Sequence, residues 1–248
     1  MVLLAHTPEC PIVLEGCGNF RDVGGIRAAN GAVVRSRRLF RSNALVAARP
    51  DDLVRLHELG LATVVDLRSD HERAWGGDPG RGVTTYHLPL GDLLSGEKAW
   101  ERWRDPLYVA DRYFEMCLAA TASITEVFAV LTDPTAYPVV VQCSLGKDRT
   151  GVVVALLLRA VGVPVRTIAA EYARSRAGSF RVVEGLRREL DEEQQRALAP
   201  YLPALLAADP VTMVRFLGLM DDEFGSMTGY LRHLDIMSAI PFLGAALF

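Results

Sequence analysis

Two apolar segments that follow each other closely constrain the fold of this chain more than any other feature. Residues 137–142 contain three consecutive valines, which is typical of a strand buried on both faces of a sheet. Residues 152–160 are apolar on nearly all sides, which is typical of a helix buried in a core. A parallel sheet with helices on both of its faces would bury both segments. We therefore expect the strand and the helix to lie at the centre of the fold.

The segments before this pair alternate between strand and helix signals. The predicted elements are a helix over residues 50–59 with Leu53, Leu56 and Leu59 on its apolar face, strands over residues 61–67 and 86–90, and a helix over residues 111–131. This alternation predicts an α/β fold with a mainly parallel central sheet flanked by helices.

The two ends of the chain give weaker signals. Residues 1–45 are predicted as accessory strands and turns, and residues 164–248 as a helical C-terminal subregion without a strong strand signal. In that subregion we expect about four helices, separated at Gly178, Pro200, Pro203 and Gly225. Because no linker-like stretch interrupts the chain, we predict one domain over residues 1–248.

Charge and composition exclude several classes of protein. A net charge of −3 lacks the basic excess of a nucleic-acid-binding domain, and no apolar run is long enough for stable membrane insertion. The first 20 residues lack the pattern of a signal peptide, and the four cysteines fit neither a zinc site nor a disulfide framework. We therefore predict a cytoplasmic protein, with secretion by a route without a cleaved signal left open. The sequence does not indicate an oligomeric state.

The connection between the two central elements carries the clearest chemical signal. Five residues separate a cysteine from an arginine, and such a loop can turn its backbone N–H groups inward at the positive end of the following helix. This arrangement would bind an anion and favour the thiolate form of the cysteine. The loop reads Cys143, Ser144, Leu145, Gly146, Lys147, Asp148, Arg149, Thr150 and Gly151.

The residue types of this loop suit attack on a phosphomonoester. Cys143 is the candidate nucleophile, and the fork of the Arg149 guanidinium matches two phosphoryl oxygens. Thr150 could donate its hydroxyl to the departing sulfur, while residues 144–147 would bind phosphate. For an isolated cysteine, a buried structural role is the commoner outcome. The coincidence of spacing, glycines, Lys147 and Thr150 favours a catalytic loop instead.

Candidates outside this loop are fewer. Arg68 and Asp92 each follow a predicted strand and are candidate phosphate-binding residues at the same sheet edge. A structural role in bracing turns is favoured for Asp66 and for Arg21-Asp22. An aromatic and basic stretch could form a lid or a substrate wall, although core packing of its tryptophans is favoured; it comprises Trp100, Arg102, Trp103, Arg104 and Tyr108. The histidines show no metal-ligand spacing, so we predict neither a metal nor another cofactor.

The chain resembles the protein-tyrosine-phosphatase superfamily, and within it the bacterial group of tyrosine and lipid phosphatases. The resemblance extends beyond the loop to landmarks along nearly the whole chain. They are Asn19-Phe-Arg-Asp-Val-Gly-Gly25, Leu39-Phe-Arg-Ser42, Val65-Asp-Leu-Arg-Ser69, residues 143–151, Glu171-Tyr172 with Ser175, and Phe224-Gly-Ser-Met-Thr-Gly-Tyr-Leu231.

The resemblance implies a metal-independent phosphatase with a phosphocysteine intermediate on Cys143. The implied substrates are phosphotyrosine proteins, with phosphoserine, phosphothreonine and phosphoinositides as further candidates. Lys147 would add charge useful for multiply phosphorylated head groups. Gln142 departs from the pattern, because many members of the superfamily carry a histidine immediately before the cysteine and glutamine cannot become cationic.

Two questions stay open at the level of sequence. The general acid that protonates the leaving oxygen is either Asp148, which is favoured because it matches the group's loop aspartate, or Asp92 on a separate segment. The alternatives to a phosphatase are a sulfurtransferase or arsenate reductase, which also use a cysteine in an oxyanion loop, and a non-catalytic phosphate-binding module.

Overall fold

The structure is a computed structural model that describes residues 12–76, 82–91 and 99–248. A five-stranded sheet lies at its centre, in the order β1-β2-β5-β3-β4. The strands are β1 (Arg21–Asp22), β2 (Leu39–Ser42), β3 (Thr63–Asp66), β4 (Thr84–His87) and β5 (Val139–Gln142). Strand β5 pairs in parallel with both β2 and β3, and only β1 runs antiparallel to its neighbour. The predicted α/β fold with a mainly parallel sheet is thus confirmed.

The valines of β5 bury both faces of the sheet, as the sequence predicted. All three are 0% exposed. Val139 and Val141 belong to the larger hydrophobic cluster, whereas Val140 belongs to a smaller cluster on the opposite face, because side chains alternate along a strand. Leu39 and Phe40 of β2 divide between the same two clusters. The segment predicted as accessory therefore contributes a strand to the interior of the sheet.

Helices cover this sheet, and thirteen α-helices lie in the described part of the chain. The first six are α1 (Pro50–Glu58), α2 (Asp70–Gly76), α3 (Ala99–Arg102), α4 (Pro106–Ala119), α5 (Thr121–Thr132) and α6 (Asp148–Ala160). The other seven are α7 (Val165–Ala173), α8 (Ser175–Arg187), α9 (Glu192–Leu198), α10 (Leu202–Leu206), α11 (Pro210–Phe224), α12 (Met227–His233) and α13 (Ala239–Leu247).

The prediction of one helix over residues 111–131 was wrong. The backbone leaves the helical region at Ala120, with φ of −107° and ψ of 29°, and α4 and α5 are bent by 81° at this break. The bend allows α4 to pack against α11 while α5 packs against α13. Alanine favours helix in isolation, so tertiary packing overrides local propensity here.

The apolar face predicted for α1 needs a correction. Only Leu56 of its leucines is buried, whereas Leu53 is 52% exposed. The helix nevertheless ends as expected, because Gly60 adopts a φ of +67° just beyond it. The strand predicted over residues 86–90 is β4, which begins two residues earlier, at Thr84, and ends three residues earlier, at His87.

The C-terminal subregion holds more helices than the four expected. Gly178 lies inside α8 instead of separating two helices. The position requires glycine because a Cβ there would lie 1.9 Å from the side-chain oxygen of Asn19. Pro200 and Pro203 lie in two successive short helices, and Gly225 ends α11 with a φ of +73° as predicted. No single helix in the described ranges is long and apolar enough to span a membrane, although two bent helix pairs meet the length and composition criteria together.

Candidate active site

The Cys143–Arg149 loop joins the central strand β5 to the buried helix α6. Strands β2, β3 and β5 end in register, with Ser42, Asp66 and Gln142 as partners at the same edge of the sheet. The loop therefore lies at the carboxyl ends of parallel strands, where α/β folds bind ligands. Helix α6 begins at Asp148, so its positive end is directed at the loop.

Four consecutive carbonyl groups of this loop accept hydrogen bonds from outside it. The bonds run from Ala44 N to Ser144 O at 3.3 Å, from Asn19 Nδ2 to Leu145 O at 2.7 Å, and from Arg41 Nη2 to Gly146 O at 2.9 Å and Lys147 O at 3.3 Å. In a trans peptide the C=O and the next N–H point in opposite directions. The N–H groups of residues 145–148 therefore face the inside of the loop, which is the geometry of an anion cradle.

A buried ion network holds the arginine that makes two of these bonds. Arg41 is 0% exposed, and its Nη1 lies 2.5 Å from Oε2 of Glu171. Glu171 also accepts a bond from Arg21 Nε at 2.7 Å, and Ser175 Oγ contacts both arginines. Burial alone would raise the pKa of Glu171, but the two guanidinium groups outweigh burial and lower it. A structural role was predicted for Arg21, and its contacts are structural, but Arg21 binds Glu171 of α7 instead of bracing a turn.

Gly146 is a position of the loop that requires glycine. Its φ is +67°, a conformation that disfavours other residues. A Cβ on Gly146 would lie 2.3 Å from the carbonyl oxygen of Ser42 and 2.5 Å from the amide nitrogen of Asn43. The loop can therefore contact the end of β2 only with glycine at this position.

A cavity of about 150 Å³ opens on the inner side of the loop. Six of the predicted site residues line it: Cys143, Ser144, Leu145, Lys147, Asp148 and Arg149. The other lining residues are Glu72, Trp103, Ala204 and Leu205. Thr150 lies beneath, 0% exposed, and its hydroxyl has no hydrogen-bond partner among the described residues. A free hydroxyl next to the loop is consistent with the predicted donation to sulfur.

Arg149 is held by a carboxylate that the sequence analysis missed. Its Nη1 and Nη2 lie 2.5 and 2.6 Å from Oε2 and Oε1 of Glu72. Burial alone would lower the pKa of Arg149, but the hydrogen bonds of Glu72 and the charges of Cys143, Glu72 and Asp148 raise it. The available sequence signal was Ser69-x-x-Glu72, which forms a capping box at the start of α2. That pattern predicts a helix start and gives no indication of a contact with the loop.

Asp148 is anchored through one of its two oxygens. Oδ1 accepts a hydrogen bond from the Tyr113 hydroxyl at 2.5 Å and from the Trp103 indole at 3.4 Å, and the Lys147 ammonium lies 3.6 Å away. Burial, followed by the charge of Asp148, raises the pKa of Tyr113 well above its usual value. The phenol therefore stays protonated and donates. Trp103 is both 2% exposed and part of the cavity lining, so core packing and a wall role coincide.

The ammonium group of Lys147 points away from solvent. The side chain is 1% exposed, and Nζ donates to the carbonyl oxygens of Ala204 at 2.7 Å and Leu205 at 3.3 Å, at the end of α10. Burial lowers the pKa of Lys147, while the charges of Asp148 and Cys143 act in the opposite direction. In this structure the charge ties α10 to the loop, whereas the sequence suggested a contact with a second phosphate.

Comparison with known proteins decides the family. The model of a tyrosine phosphatase family matches residues 12–239. The chain belongs to this family. It is 33% identical over 270 residues to the triple specificity protein phosphatase PtpB of Mycobacterium tuberculosis, a match that covers 91% of this chain and 94% of that protein. The resemblance inferred from the sequence landmarks is thereby confirmed.

Among solved structures, similarity is found to TpbA of P. aeruginosa. A crystal structure in complex with pTyr has 18% sequence identity and a TM-score of 0.34, and covers 85% of this chain and 98% of that one. A second crystal structure of TpbA gives 22% identity and a TM-score of 0.31, and covers 66% of this chain and 88% of that one.

Two residues singled out from the sequence, Arg68 and Gln142, are absent from the described lining of the cavity. Arg68 is 2% exposed, pairs with Asp66 through Nη2 at 2.7 Å, and is absent from the described lining of the cavity. Asp92 lies outside the described residues. Gln142, at the position where many members have histidine, is 0% exposed and accepts a bond from Leu45 N at 2.8 Å. Gln142 therefore braces the neighbouring segment without contributing charge.

Proposed function

We propose that this member of the tyrosine phosphatase family hydrolyses phosphomonoesters without a metal, using Cys143 as the nucleophile. The observation that carries the proposal is the outward binding of four loop carbonyls, which directs N–H groups at a phosphoryl group in front of Cys143. Such preorganised donors, with the guanidinium of Arg149, stabilise the charge of the transition state more than that of the bound substrate.

The reaction has two steps. In the first, the Cys143 thiolate bonds to phosphorus while the bond from phosphorus to the leaving oxygen breaks, and that oxygen takes a proton from Asp148. In the second, water attacks the phosphocysteine, gives a proton to Asp148 and releases inorganic phosphate, while sulfur departs as thiolate. Thr150 donates a hydrogen bond to the sulfur in both steps.

The geometry of Asp148 supports its role as the general acid. It lines the cavity together with Cys143. The described donors reach Oδ1 only, so Oδ2 can hold and release a proton while the side chain keeps its orientation. Asp92 stays the alternative acid, on the segment between the described residues 82–91 and 99–248.

The proposed substrates are phosphotyrosine proteins, with phosphoserine, phosphothreonine and phosphoinositides as further candidates. Trp103 supports the first class, because an indole in the cavity wall gives an aryl ring a surface to pack against. The relative PtpB is itself named a triple specificity protein phosphatase. The proposal includes a single domain over residues 1–248 and a cytoplasmic location, with neither nucleic acid nor stable membrane insertion.

The test is a substrate panel with the purified protein. Turnover of an aryl phosphate, of phosphopeptides and of phosphoinositides would be compared between the wild type and Cys143→Ser, with and without a chelator. We expect chelator-resistant turnover that Cys143→Ser abolishes, while that variant still binds phosphopeptide. Binding without turnover in the wild type would indicate the phosphate-binding module. Turnover of thiosulfate or arsenate, but of no phosphate ester, would indicate the sulfurtransferase or reductase alternative.

A further inference from the structure

Two tyrosines and the loop aspartate form a directed chain of hydrogen bonds beside the cavity. The Tyr113 hydroxyl lies 2.5 Å from Oδ1 of Asp148 and 2.9 Å from the hydroxyl of Tyr172. An ionised carboxylate only accepts hydrogen bonds, so the single hydroxyl hydrogen of Tyr113 goes to Asp148. Tyr172 then donates its own hydrogen to the oxygen of Tyr113. The chain therefore runs from Tyr172 through Tyr113 to one oxygen of Asp148.

The two phenol rings are fixed in the core and stay protonated. Tyr113 is 0% exposed and Tyr172 is 1% exposed. The ring of Tyr113 packs edge-on against Trp103, Tyr172 and Phe216, with ring centroids 6.5, 6.3 and 6.0 Å apart. Burial, followed by the charge of Asp148, raises the pKa of each phenol above its usual value. The oxygen of Tyr113 therefore keeps its position and its hydrogen throughout the pH range of an assay.

This chain decides which oxygen of Asp148 can carry an acidic proton. A proton on Oδ1 would meet the hydroxyl hydrogen of Tyr113, and the buried phenol would lose its acceptor, which costs free energy. Reversing the chain would leave the hydrogen of Tyr172 without a partner, because Tyr172 has no second acceptor among the described residues. A proton on Oδ2 leaves every bond intact. The protonated form of Asp148 therefore carries its proton on Oδ2, in a carboxyl group that lines the cavity with Cys143.

We propose that Tyr113, oriented by Tyr172, is a positioning residue that keeps the acidic proton of Asp148 on Oδ2, and that this placement allows cleavage of esters with poor leaving groups. The inference rests on the proposed phosphatase function. An alkoxide leaves phosphorus less readily than a phenoxide, and a nitrophenoxide leaves most readily, so alkyl esters depend most on a well-placed proton. The tyrosine pair thus matters more for phosphoserine, phosphothreonine and phosphoinositides than for activated aryl esters. The opposite interpretation is that both phenols only fill the core.

The experiment removes one hydroxyl at a time. Tyr113→Phe and Tyr172→Phe each delete one link of the chain and keep the ring. Tyr230→Phe is the matched control, because Tyr230 is 0% exposed in the same hydrophobic cluster and its hydroxyl has no partner among the described residues. The measurements are melting temperature and kcat/KM for nitrophenyl phosphate, phenyl phosphate and an alkyl phosphate. The ratio kcat/KM is chosen because it reports formation of the phosphocysteine, the step in which Asp148 gives up its proton.

For Tyr113→Phe we expect kcat/KM to fall about 10- to 100-fold with phenyl phosphate and the alkyl phosphate, and less than about threefold with nitrophenyl phosphate. Tyr172→Phe should show the same order with smaller losses, because Tyr113 keeps its hydrogen bond to Asp148. Tyr230→Phe should match the wild type with every ester. Equal losses with all three esters in Tyr113→Phe would indicate a structural role alone and overturn the proposal, as would an unchanged kcat/KM.

A failure of this proposal can be told apart from a failure of the proposed function. Wild-type turnover that Cys143→Ser abolishes is measured first, and its absence would overturn the proposed function and this inference with it. Once that turnover is established, activity on the nitrophenyl ester reports whether each variant is folded. If Tyr113→Phe does not fold, Tyr172→Phe decides alone. A loss graded by leaving group then supports the proposal, and a uniform loss or no loss overturns it.

Discussion

Tyr113 donates its hydroxyl hydrogen to Oδ1 of Asp148 at 2.5 Å, and the same hydroxyl oxygen lies 2.9 Å from the hydroxyl of Tyr172. Both phenols are buried, and burial is the first cause that raises the pKa of each. The neutral phenol of Tyr113 on α4 therefore fixes the orientation of Asp148, and Tyr172 on α7 contacts this phenol in turn. This relationship gives the loop aspartate a defined direction, which a general acid requires.

The first prediction concerns the general acid. Asp148→Asn should slow phosphotyrosine or alkyl phosphates far more than a nitrophenyl ester, because an activated leaving group needs little protonation. The measurements are kcat for both substrate types and the pH profile of kcat. The alkaline limb of this profile should disappear in Asp148→Asn. Equal losses on all substrates would indicate damage to the loop. A selective loss in Asp92→Asn alone would transfer the role to Asp92.

A second prediction tests the close contact between the loop and β2. Gly146→Ala should reduce kcat/KM by about 100-fold or more, because the added Cβ would overlap the carbonyl of Ser42 and turn the cradle. Gly185→Ala is the matched control, since no atom lies within 4 Å of a Cβ at this helical position. We expect the control to keep full activity with unchanged or slightly higher stability. Full activity in Gly146→Ala would contradict the account of the loop.

The third prediction distinguishes the cysteines by alkylation. Iodoacetamide should inactivate the protein by modifying Cys143, and phosphate should protect it, because Cys143 lines the cavity. Burial raises the pKa of Cys17 to about 12 and also raises that of Cys117, so both should react slowly. Peptide mass mapping against residual activity checks this order. Cys10 lies outside the described residues, and Cys10→Ser removes it as a competitor.

A fourth prediction follows from the ionisation of Glu72. Its pKa in the folded protein, about 2, lies below the ordinary value of 4.5. Its charge therefore stabilises the fold fully above pH 4.5, and this contribution is lost as pH falls towards 2. The difference in unfolding free energy between the wild type and Glu72→Gln should shrink over this window. A difference that stays constant from pH 6 to about pH 3 would refute the assignment.

The sequence was sufficient for the centre of the sheet and for the position of the loop because both depend on local pattern. Three valines and an adjacent apolar helix define the centre of the fold whatever surrounds them. The break at Ala120 was not predictable, because the packing partners of α4 and α5 come from distant helices. Burial of Lys147 likewise depends on where α10 ends, and no spacing near the loop reports that position.

The contacts around the loop were also not predictable, because they join residues that are distant in the chain. Asn19, Arg41 and Glu171 stood among the landmarks of the family, but their joint action on the loop carbonyls became visible only in the structure. Glu72 was missed because a capping box explains it locally. When a residue has both a local role and a long-range role, the sequence pattern reveals only the local one.

The outward hydrogen bonds of the loop also link ligand binding to folding. Asn19 and Leu145 are 126 residues apart, and Arg41 and Gly146 are 105 apart, so the cradle is assembled only when distant parts of the chain have met. An unfolded or partly folded chain cannot offer inward N–H groups to an anion. Inorganic phosphate should therefore bind the native state alone and raise its melting temperature with concentration, acting as a chemical chaperone for its own binding site.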